Sequence, residues 1–118
     1  MKHAEDSEQQ ALFDWAEYYP VLRWMFAIPN GGKRSKMEAA RLKRQGVKPG
    51  VSDIFLPIVT DEYPGLYIEM KRRKVDGPSR PTPKQKEFHV AMIRQGYKCV
   101  VCYGAEAAIQ AIKEYVSL

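Results

Sequence analysis

At 118 residues and 45% hydrophobic composition, the chain has the size of one globular domain, residues 1–118, with one modest core. No apolar run approaches the about 20 residues that span a membrane, and the acidic first twenty residues contain no signal peptide, so a cytoplasmic protein without a membrane partner is expected. The net charge of +5 is clustered: Lys33 to Lys48 holds seven basic residues against Glu38 alone, and Lys71 to Lys86 seven against Asp76 alone. Such clustering favours a polyanionic partner over a merely solvated basic surface.

Taken in order, Ser7-Glu8-Gln9-Gln10 fits a capping box, and Leu12, Trp15, Ala16 and Tyr19 follow at helical spacing. This predicts a helix over 7–18, stopped by Pro20. Glu8 shares the face of Leu12 and Trp15. Helix physics makes it a first-turn acid favoured by the dipole, or else a carboxylate directed inward. Leu22 to Ile28 reads as a strand, ended by a loop at Pro29-Asn30-Gly31-Gly32 that lacks the Gly-Lys-Ser/Thr of a P-loop. Ser35 to Gln45 reads as a thinly apolar, basic surface helix, capped by Gly46 and suited to a nucleic-acid backbone.

Residues 50–56 and 66–71 then read as two strands joined through Asp61, Glu62, Pro64 and Gly65. Strand side chains alternate, so Leu66, Ile68 and Met70 share one face and Tyr67, Glu69 and Lys71 the other. With Asp53 at the start of the neighbouring strand, two carboxylates and a lysine converge at one end of a sheet, which is a hard-cation site beside a lysine. The bland alternative is an exposed ion pair of little worth. Thr82-Pro83-Lys84-Gln85 is a second capping box with Pro at the first helical position. Phe88, Ala91 and Met92 mark its helix, and Gly96 ends it. His89 has no visible partner. Tyr97 to Tyr103 is a strand on which Cys99 and Cys102 face opposite ways, so they read as core thiols rather than a redox pair or zinc ligands. Ala105 to Val116 closes the chain as a helix with Ala108, Ile109 and Ile112 inward. The order of elements describes an α/β protein with a central mixed sheet flanked by helices.

These residues resemble the PD-(D/E)xK nuclease superfamily with its restriction-endonuclease-like core, and within it the small stand-alone VRR-NUC family. The resemblance rests on Glu8 and Gln10, the Ile28-Pro29-Asn30-Gly31-Gly32 strand end, the Gly46 to Asp53 run, Ile68-Glu69-Met70-Lys71 and Gln85. Ser52 stands where the superfamily name has Pro. The resemblance implies Mg²⁺- or Mn²⁺-dependent hydrolysis of DNA phosphodiesters without an organic cofactor. It implies Glu8, Asp53 and Glu69 as metal ligands with the Met70 carbonyl, Lys71 beside the attacking water, and Gln85 in support.

Lys33, Arg34, Arg41, Arg44 and Lys48 from the first basic cluster, with Arg72, Arg73, Lys74 and Lys84 from the second, are the candidate DNA contacts. Branched DNA, such as a four-way junction, and a homodimer that matches its two-fold symmetry are the expected substrate and assembly. Trp15, Tyr18, Tyr19 and Trp24 are interface candidates. The rival expectation is a non-catalytic DNA-binding module of the same fold, which would have lost at least one of the four charged residues.

Overall fold

The computed structural model describes residues 2–29 and 35–118. The loop expected at Asn30 to Gly32, and Lys33 and Arg34, lie outside the described residues. Helix α1 spans Lys2–Ala16, one and a half turns longer at its start than the capping-box reading. Ser7 therefore lies inside the helix and caps nothing. Ala4 is a strong helix former, and Glu5 and Asp6 suit the positive end of the dipole, so the helix extends back through them.

Pro20–Leu22 then forms a 3₁₀ turn in place of the expected strand start, with Pro20 at its first position. Leu22 at its end and Met25 beyond it, both buried, are three apart, while Arg23 and Trp24 between them are exposed. That spacing belongs to a turn and not to an alternating strand. Strand β1 is confined to Phe26–Ala27.

Helix α2, Lys36–Arg44, is capped by the Ser35 hydroxyl, which accepts from the Glu38 N–H at 3.0 Å. It buries none of its residues. Strands β2, Ile54–Leu56, and β3, Leu66–Lys71, pair antiparallel with Ile54 opposite Ile68. Helix α3, Pro83–Arg94, leads to β4, Lys98–Tyr103, and α4, Ala105–Val116. Strand β4 runs parallel to β3, and among the described residues the sheet order is β1-β2-β3-β4.

The alternation expected for β3 sorts the two faces. Ile54, Leu56, Leu66, Ile68 and Met70 meet Leu12 and Ala16 of α1 and Ala108 and Ile112 of α4 in the apolar core. The opposite face is aromatic. Phe55 lies 4.5 Å from Tyr67 and 5.9 Å from both Phe26 and Tyr97, and Tyr67 meets Phe88 of α3 edge-on at 5.1 Å. Such offset and edge contacts are the favourable ring geometries. Glu69 and Lys71 continue the Tyr67 row and so lie on this second face, at the end where α3 begins.

Candidate active site

Asp53 stands one residue before the paired part of β2, across from Glu69. Its Oδ2 accepts from the Met70 N–H at 2.7 Å, which fixes the carboxylate against the end of β3. Met70 is itself only 1% exposed. Glu69 is 2% exposed and Lys71 6%, so the exposed ion pair considered from the sequence is instead a buried one. Their charged atoms are 4.0 Å apart and share an intermediary. Lys71 Nζ donates to Gln85 Oε1 at 3.0 Å, and Gln85 Nε2 donates to Glu69 Oε2 at 3.0 Å. Gln85 also completes the α3 capping box: Thr82 N–H donates to Gln85 Oε1 at 2.8 Å, and Gln85 N–H donates to Thr82 Oγ1 at 3.2 Å.

Glu69 Oε1 is buried with no hydrogen-bond partner among the described residues. Burial first, then the neighbouring Asp53 carboxylate, push Glu69 up to about 9, against the pull of the Lys71 ammonium. A buried carboxylate oxygen with no hydrogen bond, beside a second carboxylate, is only partly compensated by the single Lys71 ammonium. Two neighbouring hard carboxylates fit a divalent cation, because Mg²⁺ keeps several of its own waters and needs few protein ligands. Among the described residues, no three His, Cys, Asp or Glu side chains are gathered as a ready-made cage.

Glu8 makes its hydrogen bond and ion pair away from Asp53 and Glu69, and the first-turn reading of it is corrected. It lies inside α1, not in its first turn. Its Oε1 accepts from the Ala105 N–H at 2.8 Å, capping α4, and its Oε2 is 3.7 Å from Arg73 Nε. The close approach needs Gly104, where a Cβ would come within 2.8 Å of the Arg73 side chain and 3.3 Å of Glu8 Oε1. Glu5 takes the inward place. Burial raises its pKa, and its charge neighbours are Lys71, which opposes that rise, then Asp53 and Asp6. It also raises Glu69. The helical period contained the signal: Glu5 is seven residues before the fully buried Leu12 and thus on its line, whereas Glu8 is displaced toward the flank.

The candidate DNA contacts divide by partner. Arg41, Lys43 and Arg44 crowd the last turn of exposed α2, where Arg41 lies 3.9 Å from Glu38, and Lys48 follows on the surface. Arg72 donates to the Gly77 carbonyl at 3.3 Å and to the Pro78 carbonyl, holding that loop. Arg73 forms a two-pronged pair with Asp76 at 3.0 and 3.2 Å. Lys74 Nζ lies 5.1 Å above the Tyr103 ring, and exposed Lys84 is 3.6 Å from Glu87. His89, which showed no partner in the sequence, is 2.9 Å from the fully buried Ser52 hydroxyl. Burial lowers its pKa. Ser52 thus fills the position before Asp53 with a buried hydrogen bond to α3. Cys99 and Cys102 are free thiols, each pushed up to about 11 by burial, which removes thiolate chemistry from them.

A mixed sheet with helices on both faces, and a buried carboxylate–lysine cluster at a strand end, define a nuclease-type domain with a restriction-endonuclease-like core. The comparisons carry that further. The VRR-NUC domain profile matches residues 3–106, and the chain belongs to that family. A solved structure described as a VRR_NUC domain protein superposes with a TM-score of 0.84 at 32% identity, covering 98% of this chain and 89% of its own. A search of curated proteins finds no match. No helix among the described residues is long and apolar enough to cross a membrane.

Proposed function

We propose that the protein is a Mg²⁺- or Mn²⁺-dependent endonuclease that hydrolyses DNA phosphodiester bonds, with Asp53 and Glu69 as metal ligands and Glu5 as the carboxylate supplied by α1. The observation that carries this reading is the unpartnered, buried Glu69 Oε1 beside Asp53, with an ammonium and an amide fixed behind it. A hard cation, when bound, supplies Lewis acidity at the phosphate and acidifies water.

The chain's own groups do the rest. Asp53 is anchored on the Met70 N–H and Glu69 on Gln85, so both carboxylates are held in place before a cation binds. Lys71 is a compact positive charge buried beside Glu69. It offsets the negative charge that develops on the phosphate and orients the attacking water. Its hydrogen bond to Gln85 keeps it beside Glu69 without collapsing onto it. The exposed basic turn of α2 supplies backbone contacts to DNA. A homodimer acting on branched DNA extends the reading, because a four-way junction has two-fold symmetry and each chain carries one such cluster.

The test is incubation of labelled linear, flapped and four-way DNA with Mg²⁺, with Mn²⁺ and with chelator. Cutting in either metal and none in chelator is expected. Asp53→Asn and Lys71→Ala are expected to abolish cutting while DNA binding persists. Undiminished cutting in chelator overturns the metal mechanism, and normal turnover by Lys71→Ala overturns its role.

A further inference from the structure

Gln85 does two jobs with one side chain. It closes the N-terminal cap of α3, and it bridges Lys71 to Glu69. The two ends of a primary amide have nearly the same shape, so the direction of the bridge depends on what each end meets. Two donors converge on Oε1, Lys71 Nζ at 3.0 Å and the Thr82 N–H at 2.8 Å. A reversed amide would set its NH₂ against both donors and an oxygen against Glu69 Oε2. The Thr82 N–H is itself fixed. Thr82 is extended at φ −74 and ψ 163, its hydroxyl accepts from Gln85 N–H, and Pro83 follows at the first helical position.

We propose that Thr82 is a positioning residue for the site: its backbone N–H sets the direction of the Gln85 amide, so that the oxygen holds Lys71 and the NH₂ holds Glu69. This rests on the nuclease reading above for its catalytic consequence, though not for its structural one. Without the Thr82 donor, Oε1 keeps only Lys71, and the bridge is free to turn. Lys71 can then close the 4.0 Å gap to Glu69 and cover the carboxylate meant for the cation. The first turn of α3 and the geometry of the site are one hydrogen-bonded unit.

The backbone of Thr82 permits a clean separation of hydroxyl from N–H. Thr82→Ser keeps both, Thr82→Ala removes only the hydroxyl, and Thr82→Pro removes both at a φ that proline adopts. Gln85→Glu keeps the acceptor for Thr82 and Lys71 but puts an oxygen against Glu69. Single-turnover cleavage of a labelled four-way junction in Mg²⁺ would be measured at saturating protein, with DNA affinity in chelator. In parallel, the ¹⁵N-resolved Gln85 side-chain amide would be followed by NMR.

Thr82→Ser is expected to match the parent and Thr82→Ala to stay within a few-fold. Thr82→Pro is expected to lose about ten-fold or more in rate at unchanged DNA affinity, as small misplacements at reacting centres do. Its Gln85 resonances should move toward solvent values. Folded Gln85→Glu should be as slow as Thr82→Pro. Equal rates and equal Gln85 resonances in Thr82→Ala and Thr82→Pro would overturn the proposal. So would parental cutting by folded Gln85→Glu, which decides the matter if Thr82→Pro fails to fold. If the parent cuts no DNA, the nuclease reading falls, and the Gln85 resonances alone decide whether Thr82 directs the amide.

Discussion

Glu69 is held in a state that its surroundings disfavour when charged. Its pKa is pushed up to about 9, first by burial and then by Asp53. A carboxyl whose folded pKa lies above its unfolded value binds more protons folded than unfolded. Its stabilisation is therefore complete below the unfolded value of 4.5 and is lost as pH rises toward 9. In chelator, melting temperature is expected to fall across that window, and Glu69→Gln is expected to flatten the slope and to melt about 4 °C or more above the parent at pH 8. Scanning calorimetry at several pH values checks this. An unchanged slope would mean that Glu69 is charged in the folded protein. The two α1 carboxylates call for opposite outcomes. Glu5→Gln is expected to lose most cleavage with its melting temperature intact. Glu8→Ala should cost about 1 kcal/mol, as the loss of a helix cap does, and still cut DNA. Melting and cleavage measured on both variants distinguish them.

Between elements, the site depends on how closely α3 approaches the start of β2. A Cβ on Gly50 would clash with the Lys84 carbonyl, and Gly50 also sits at φ +89, where side chains are strained. Gly50→Ala is therefore expected to cost more than about 1 kcal/mol. It should also lower cleavage, because it pushes apart the elements that carry Asp53 and Gln85. Denaturant titration beside a cleavage assay reads both effects. Helix α2 has the reverse character. It buries nothing, and a nine-residue helix is marginal on its own. Its contribution is charge, and Arg41→Ala with Arg44→Ala should weaken DNA binding and reduce the salt slope of log K by about 2. Fluorescence anisotropy across a salt series measures the slope, and an unchanged slope would remove α2 from the DNA interface.

At the scale of the molecule, the aromatic interface candidates separate. Trp15 and Tyr19 meet at a tilt with ring centroids 4.9 Å apart and pack on the core, while Tyr18 is 83% and Trp24 70% exposed. Val21 and Phe26, also exposed, extend that surface along the turn into β1. If the proposed dimer uses this face, light scattering should give twice the 13.6 kDa chain mass, and Trp24→Ala should return a folded monomer that no longer prefers a four-way junction. A monomeric parent cutting linear and branched DNA equally would leave a general metal-dependent nuclease.

What the sequence determined by itself was mostly local. The period-2 pattern gave the two faces of β3, the Thr82–Gln85 box gave the start of α3, and the ordered set of Glu8 and Gln10, the Ile28 to Gly32 strand end, the Gly46 to Asp53 run, Ile68 to Lys71 and Gln85 gave the family. Each is governed by neighbours in the chain or by spacing. Tertiary structure decided what depends on where elements meet. Leu22 and Met25 packed as a turn because the core lay on one side of both. Serine at position 7 could have begun a helix, but the preceding residues also favour one, and local rules do not rank the two starts. The helical period set Glu5 on the line of Leu12, but that Glu8 is drawn aside turns on the Ala105 N–H it caps, 97 residues away along the chain. Burial of the Glu69–Lys71 pair, and with it the shifted pKa and the orphaned oxygen, came from α3 covering a strand end. No pattern along the strand encodes that cover.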